Sequence, residues 1–297
     1  MMNLKTSNFR SKLSSPWVYF ALVYTLSWTF TIPAALSGVS LRESSTLMVI
    51  YALGGLGPAI SAILLTYLTQ DREGRCDYWQ RVVDFRRIPL KWYGVIFLTV
   101  PVITALAALV DRLLGGQGLR LEAAARFLEQ PLMVLPFAVF ILLFGPLPEE
   151  IGWRGYALDR LQTRWNALVS SLTLGTAWAL WHLPQFFVRG TYQHNLGFGS
   201  LSFWMFMLEI LVGSILHTWI YNNTGRSTLS AILFHFMGNF TGELFELSAR
   251  AEFYSFVLTV VAAITVVMAW GPKTLTRQPT AGQPIALHPR EGGKVRQ

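Results

Sequence analysis

The sequence has few charged residues and almost no cysteine. Charged side chains make up 13% of its 297 residues, whereas a soluble domain usually carries about 25%. The single cysteine, Cys76, excludes an internal disulfide framework, and its basic surroundings favour a reduced thiol in the cytoplasm. Hydrophobic residues reach 53%, and the mean hydropathy is +0.42. The composition therefore predicts an integral membrane protein.

Three common protease signatures are also missing. No aspartate lies well inside an apolar run, which argues against an intramembrane aspartyl protease. There is no H-E-x-x-H stretch, so the usual helix of a zinc protease is absent. There is no G-x-S-x-G stretch either, and no serine stands in a convincing nucleophile context. Glutamate, histidine and asparagine side chains remain as candidates for chemistry.

The formal net charge of +8 raises the question of a nucleic-acid partner. The basic residues are spread over the segments between apolar runs. That distribution fits a bilayer with anionic lipids better than a nucleic-acid surface. We therefore expect the lipid bilayer as a partner and no nucleic acid.

Apolar runs of roughly 20 residues recur along the chain, the length that a helix needs to cross about 30 Å of hydrocarbon. We predict an all-α fold, a polytopic membrane helix bundle with about eight transmembrane helices. The fourth run is interrupted at Gly145, Pro146 and Pro148, and a helix can restart there because proline is tolerated in a first turn. The predicted spans are Pro16–Ser37, Thr46–Thr69, Lys91–Leu114, Pro131–Tyr156, Ala167–Val188, Leu201–Tyr221, Thr228–Leu247 and Phe253–Trp270.

The lysine and arginine residues predict the orientation of the chain. With eight spans and the N-terminus inside, 18 of the 24 Lys and Arg residues lie on the inner side. Positive charge marks the cytoplasmic side of a membrane protein, so we expect both termini in the cytoplasm. We divide the chain into N-terminal transmembrane helices with a basic cytoplasmic loop (1–129), a motif-bearing core (130–247), a last transmembrane helix (248–270) and a disordered basic tail (271–297).

Polar residues inside the predicted spans are functional candidates, because hydrocarbon penalises them. Glu149 and His182 are equally far from Trp165–Asn166. If the chain turns there as a helical hairpin, the two side chains lie at one depth, since both helices rise about 1.5 Å per residue. His235 and Asn239 are four residues apart and share one helix face. We expect all four to converge near the cytoplasmic side.

The adjacent glutamates are predicted to have different roles. Glu150 and Arg154 are four residues apart, so they can form an ion pair that compensates a charge at low dielectric. Glu149 then stays free for chemistry, and adjacent carboxylates in a dry site favour a general base.

The remaining polar residues in the spans are predicted to be structural. We assign His217, Glu209 and Glu246 to packing, an interface or local pairing. Glu243 extends the face of His235 by one turn. We prefer a structural role for Glu243 over a role in supporting the site residues.

Three motifs follow one another inside the predicted spans: Glu149-Glu150-x-x-x-Arg154, Trp178-x-x-x-His182 and His235-x-x-x-Asn239. Together they resemble the CPBP family of intramembrane proteases, which includes the type II CAAX prenyl proteases and the Abi-type bacterial membrane proteins. The stretches "EEIGWRGYALDRL" and "WALWHLP" look like the prokaryotic branch of that family. Trp178 departs from the family pattern, which usually has Phe at this position, but an aromatic ring is retained.

The resemblance implies an eight-helix bundle with endopeptidase activity at the membrane. It implies that Glu149, with His182, activates a water for attack on the scissile carbonyl group. His235 and Asn239 would stabilise the oxyanion. The substrate would be a peptide or a membrane protein, and a prenylated C-terminus is one option among these.

Metal dependence stays open at this point. Glu149, His182 and His235 with one open position match the ligand set of a catalytic zinc site, so a divalent metal, zinc first, is a candidate cofactor. The same residues can also work without a metal.

Two other functions stay open. A non-catalytic immunity or partner-binding protein could keep the same fold, although the loss of a motif residue would then be expected, and none is lost. A transporter could use the same polar residues as an ion path. Broken helices in two matching halves are expected there, and one break is visible.

Overall fold

The computed structural model of the chain describes residue 10 and residues 12–277, and it is an all-α bundle, as predicted. A π-helix, Trp153–Ala157, and short 3₁₀ turns, among them Leu183–Phe187, extend or link the α-helices. The α-helices are α1 (Pro16–Leu36), α2 (Ser45–Gly55), α3 (Gly57–Thr69), α4 (Arg72–Val83), α5 (Leu90–Leu113), α6 (Glu122–Glu129), α7 (Val134–Leu143), α8 (Pro146–Gly152), α9 (Leu158–Gln162), α10 (Ala167–Trp181), α11 (Tyr192–Leu196), α12 (Leu201–Asn223), α13 (Thr228–Leu244) and α14 (Ala249–Trp270).

Five helical segments of the described residues are long and apolar enough to cross a membrane, or six if α2 and α3, bent by 42° at their junction, form one span. The chain is therefore an integral membrane protein. The other two predicted spans correspond to α10, with 15 residues, and α13, with 17. A 15-residue helix is about 22 Å long, less than the roughly 30 Å of the hydrocarbon core. The total of eight spans stays a prediction.

Several helices begin where a short polar side chain caps the first turn. Each of these caps accepts a hydrogen bond from the backbone N–H three residues later, which satisfies one of the amides that a helix start leaves free. The caps are Ser44, Asn166, Ser200, Ser227 and Ser248.

The cap at Asn166 lies at the predicted hairpin. Helix α9 ends at Gln162 and α10 begins at Ala167, so the chain turns at Trp165–Asn166 as expected. This turn brings the helix with the paired glutamates beside the helix that ends at His182.

Glycine residues allow the helices around the site to approach closely. A Cβ atom at Gly175 of α10 would lie 2.9 Å from the Cβ atom of Ser214 and 3.0 Å from the Cα atom of Leu211, both in α12. A Cβ atom at Gly152 of α8 would lie 2.7 Å from the carbonyl oxygen of Pro58 in α3. Real side chains do not tolerate such distances to backbone atoms. Glycine is therefore required where these two helix pairs cross.

One end of the bundle is closed by a network of buried charges around Asp159. Arg81 of α4 donates to this carboxylate at 2.9 Å, and Tyr221 of α12 donates to it at 3.0 Å. Arg226, in the loop before α13, binds both of its oxygens. Burial lowers the pKa of Arg226, but the nearby Asp159 carboxylate raises it by more. The pKa of Arg226 therefore lies well above its usual value. The network ties three helices to one carboxylate.

The opposite end is closed by a second cluster, in which Asp111 of α5 accepts hydrogen bonds from the Gly118 amide at 2.8 Å and the Ser248 hydroxyl at 2.9 Å. Arg250 of α14 also pairs with Asp111. Two short antiparallel strands, β1 (Leu119–Arg120) and β2 (Glu246–Leu247), lie beside the cluster.

Glu246 of β2 forms an ion pair with Arg120 of β1. Local pairing is one of the three structural roles predicted for Glu246, and the structure shows it. The pair joins the segments that precede α6 and α14.

The chain after α14 turns back onto the bundle. The carbonyl oxygen of Lys273 accepts a hydrogen bond from the Ala167 amide at 2.8 Å, and Leu275 is fully buried. The disordered tail was predicted from Gly271, but residues 271–277 pack against the helices. The rest of the predicted tail, residues 278–297, lies outside the described residues.

Candidate active site

The two adjacent glutamates lie in the first turns of α8. Pro146 and Pro148 fit there because the amides of a first helical turn need no partner within the helix. Glu149 is 8% exposed and Glu150 is fully buried, so two carboxylates lie deep in an apolar bundle. The helix continues as the π-helix Trp153–Ala157, a distortion that occurs frequently at functional sites.

The predicted pair of Glu150 and Arg154 is confirmed. The Nη1 atom of Arg154 lies 2.8 Å from Oε1 and 3.1 Å from Oε2 of Glu150, and both side chains are fully buried. The Nη2 atom of Arg154 donates to the Ser214 hydroxyl at 3.3 Å. Its guanidinium group lies over the Trp178 ring, 4.5 Å from the centroid. Arg154 thus compensates the charge of Glu150.

Glu149 and His182 both form a hydrogen bond with Trp178. The indole Nε1 atom of Trp178 donates to Oε2 of Glu149 at 2.6 Å. The Nδ1 atom of His182, which is 7% exposed, lies 2.9 Å from the carbonyl oxygen of Trp178. A carbonyl only accepts, so Nδ1 carries the proton and Nε2 of His182 keeps its lone pair in the neutral ring.

His235 contacts Glu150, the glutamate that was assigned to structure. Its Nδ1 atom lies 2.9 Å from Oε1 of Glu150. Its ring packs edge-on against Trp178, with the centroids 5.1 Å apart. The sequence prediction placed His235 with Glu149 and His182, and it did not anticipate that Glu150 orients this imidazole.

Asn239 lies one turn beyond His235 on α13 and is exposed. Its amide nitrogen lies 3.2 Å from the position that a Cβ atom at Gly145 would take, so the amide lies against the chain just before α8. An exposed amide beside the buried glutamate pair is available to a ligand.

His217 of α12 also belongs to this cluster, beyond the packing, interface or local pairing that was predicted for it. Ring nitrogens of His217 and His235 and a carboxylate oxygen of Glu150 all lie within 4.8 Å of one another. A signal for this was present, because His217 and His235 are both nine residues from Arg226, in the turn between α12 and α13. The equal-distance argument that paired Glu149 with His182 applies to them as well.

A divalent metal ion would meet a different group of ligands from the predicted one. Among the described residues, the group with the spacing of metal ligands is Glu150, His217 and His235, not the predicted set with Glu149 and His182. Glu150 is occupied there, because both of its oxygens bind the guanidinium group of Arg154 and Oε1 also binds His235. A metal ion would have to compete with a buried cation that already compensates this carboxylate.

The remaining groups suit general-base chemistry on a carbonyl group. Oε1 of Glu149 has no hydrogen-bond partner among the residues that the structure describes, so it is free to accept a proton. The imidazole of His182 is hydrogen-bonded to the carbonyl oxygen of the same residue, Trp178. The imidazole of His235 and the amide of Asn239 lie on one face of α13. Acyl transfer to water needs these elements: a base and donors for the oxyanion.

Comparisons with known proteins indicate a peptidase. A family model described as "Type II CAAX prenyl endopeptidase Rce1-like" matches residues 131–241. The chain is 30% identical over 254 residues to "CAAX prenyl protease 2" of Methanococcus maripaludis, an alignment that covers 85% of this chain and 93% of the relative. The matched residues 131–241 include all three motifs.

Proposed function

The chain belongs to the Rce1-like family of type II CAAX prenyl endopeptidases, and from this premise we propose that it hydrolyses a peptide bond with a water activated by Glu149. As a family member it is a membrane-embedded peptidase. The observation that carries the proposed mechanism is the difference between the two buried glutamates. Glu150 is neutralised by Arg154, whereas Glu149 is held through one oxygen by Trp178 and has its other oxygen free.

In the proposed reaction, Glu149 takes a proton from water while the hydroxide adds to the scissile carbonyl carbon. His182 directs the lone pair of Nε2 at the same water, because its Nδ1 is bound to the Trp178 carbonyl. As the C–N bond breaks, the proton passes from Glu149 to the leaving amine. Glu149 returns to the carboxylate form, so one water is consumed for each bond cleaved.

The negative charge on the carbonyl oxygen is stabilised by His235 and Asn239. The bond from Nδ1 of His235 to Glu150 turns its Nε2 edge away from that carboxylate. In the protonated ring this edge donates to the oxyanion, together with the amide of Asn239. Such donors contribute about 2.7–4 kcal/mol each to the transition state in other acyl-transfer enzymes.

The proposed substrate is a peptide with a prenylated CAAX sequence, as the name of the Methanococcus maripaludis relative indicates for that protein. A membrane-protein substrate without a lipid group is the alternative. A panel of C-terminal peptides, with and without a farnesyl group, tests this with the purified protein. Cleavage of the farnesylated peptides alone supports the proposal, and equal cleavage of both kinds favours the alternative.

Hydrolysis is proposed to need no metal ion, because Glu150 is already bound by Arg154 and His235. The expected result is that cleavage by the purified enzyme continues after exhaustive chelation, with less than one zinc or other transition-metal ion per chain by elemental analysis. Loss of activity on chelation, with recovery on addition of zinc, would contradict this.

The proposed topology has eight spans, both termini in the cytoplasm and the site near the cytoplasmic face. The uneven Lys and Arg distribution supports it. The proposed catalytic core is the motif-bearing segment 130–247.

A further inference from the structure

His217 is a buried histidine with one ring nitrogen that lacks a hydrogen-bond partner. It lies on α12 and is 7% exposed. Its Nδ1 atom lies 2.9 Å from the carbonyl oxygen of Gly213, one turn earlier, so Nδ1 donates and the ring cannot turn over without losing this bond. Nε2 is buried and has no partner among the residues that the structure describes. A buried nitrogen without a partner destabilises the folded protein, and an apolar side chain of the same shape would avoid this cost.

The His217 ring lies next to two residues of the proposed peptidase site, Glu150 and His235. A carboxylate oxygen of Glu150 and a ring nitrogen of His235 lie within 4.8 Å of a ring nitrogen of His217. Two polar atoms 4.8 Å apart are too far apart for a direct hydrogen bond. One water between them can bind both, with two hydrogen bonds of about 2.8 Å. Nε2 of His217 and the Glu150 carboxylate both accept hydrogen bonds, and two polar partners are enough to hold a buried water.

The ring of His217 also supports two site residues by packing. It meets Trp178 edge-on, with centroids 5.6 Å apart and an interplanar angle of 82°. It meets His235 in the same way, at 5.9 Å and 88°. Phe234 closes the remaining side at 4.8 Å. His217 of α12 thus packs against both Trp178, which donates to Glu149, and His235.

We infer that His217 is a positioning residue of the proposed site, whose Nε2 atom accepts a hydrogen bond from a water that also donates to Glu150, while its ring fixes Trp178 and His235. The inference rests on the proposed peptidase function. It explains why a buried polar ring stands where an apolar residue would pack without penalty. It also gives α12 a part in a site whose three motifs lie in other segments, Glu149–Arg154, Trp178–His182 and His235–Asn239.

Two variants separate the polar role of His217 from its bulk. His217→Phe keeps a flat ring and removes Nε2, whereas His217→Gln places an amide group near the Nε2 position. We expect His217→Phe to lower kcat by roughly 10- to 100-fold, the range seen when an orienting contact is lost, with KM and the melting temperature little changed. His217→Gln should recover most of that loss.

His194→Phe is the matched control. His194 also directs Nδ1 at a backbone carbonyl, that of Phe186, at 3.1 Å, but it lies on α11 away from the glutamates. Its replacement should leave kcat within about twofold of the parent value, since it removes the same kind of bond outside the site.

A spectroscopic readout distinguishes failure of the inference from failure of the proposed function. In protein labelled with ¹⁵N-histidine, the ring signals of His235 should move in His217→Phe and stay in place in His194→Phe. Parent-like kcat in His217→Phe, equal losses in the Phe and Gln variants, or unmoved His235 signals would each overturn the inference. If the parent protein cleaves no peptide, the peptidase proposal fails. The His235 signals then decide alone whether His217 positions His235.

Discussion

Glu149 and Glu150 are neighbours in the sequence but have different surroundings. Successive helix positions diverge by about 100°, so one carboxylate points at Trp178 and the other at Arg154. Glu150 receives a full counter-charge and a bond from His235. Glu149 receives a single neutral donor, and its second oxygen stays available. The proposed mechanism depends on this difference.

The buried ion pair makes a prediction about stability. Arg154→Met leaves Glu150 as an uncompensated buried carboxylate, and the loss of one partner of a buried pair typically costs about 3–5 kcal/mol. The double variant Glu150→Gln/Arg154→Met contains no isolated charge, so it should recover a large part of that loss. Thermal melting of the purified variants in detergent measures both. An Arg154→Met variant that melts like the parent would remove the structural role of the pair.

The hydrogen bond from Trp178 to Glu149 makes a prediction about turnover. Trp178→Phe keeps an aromatic ring beside Arg154 and His217 but removes the Nε1 donor from Oε2 of Glu149. The base then loses its fixed orientation, and kcat should fall by roughly tenfold while KM changes little, because substrate binding is not altered. Steady-state kinetics on the best peptide of the panel provides the test. An increase in KM at constant kcat would mean that Trp178 contacts the substrate instead.

Some side-chain contacts of the site follow from spacing, and others do not. The pair of Glu150 and Arg154 could be predicted because residues four apart on a helix meet wherever the helix lies. The bond from Trp178 to Glu149 joins two helices, and it depends on side-chain rotamers that no sequence period encodes. For the same reason the sequence could not show that His235 binds Glu150.

At the scale of helices, the close packing of α10 against α12 depends on the absence of a side chain at Gly175. Gly175→Ala would bring a Cβ atom to 3.0 Å from the Cα atom of Leu211, a backbone atom that cannot move alone. Overpacking of this kind costs typically 1–3 kcal/mol, so the melting temperature should fall. Gly213→Ala is the control, since a Cβ atom there would meet nothing within 4 Å. Equal melting of the two variants would contradict the close approach.

The order of the helices was predictable to a large extent, but their irregularities were not. Each predicted span coincides with a helix or a helix pair, since long apolar runs and polar caps determine where helices lie and begin. The bend between α2 and α3 lies beside Gly55, Gly57 and Pro58, and the predicted continuous span Thr46–Thr69 did not include it. The equal distance of His217 and His235 from Arg226 was visible in the sequence, but a lone histidine without a motif was assigned a structural role.

At the scale of the whole molecule, the single cysteine tests the orientation. Cys76 is exposed on α4, in the loop predicted to be cytoplasmic. A membrane-impermeant maleimide should label it in inside-out vesicles and leave it unlabelled in right-side-out vesicles, because the reagent cannot cross the bilayer. The opposite pattern would reverse the predicted topology.

A second position provides the control for that labelling. In a Cys76→Ser background, Glu43→Cys introduces a thiol at an exposed position before α2, on the predicted outer side. It should react in right-side-out vesicles alone. Labelling of both positions from the same side would show that the number of spans between them is even.

The proposed mechanism is tested most directly by the turnover of Glu149→Gln in purified protein. The variant keeps the size of the side chain and an acceptor for Trp178, so it should express and melt like the parent. It should lose cleavage by at least about 10²–10⁴-fold, because it cannot take a proton from water. Glu150→Gln, measured alongside, should lower the melting temperature at least as clearly as kcat. A Glu149→Gln protein that cleaves the same peptide at a near-parental rate would contradict the assignment of Glu149 as the base.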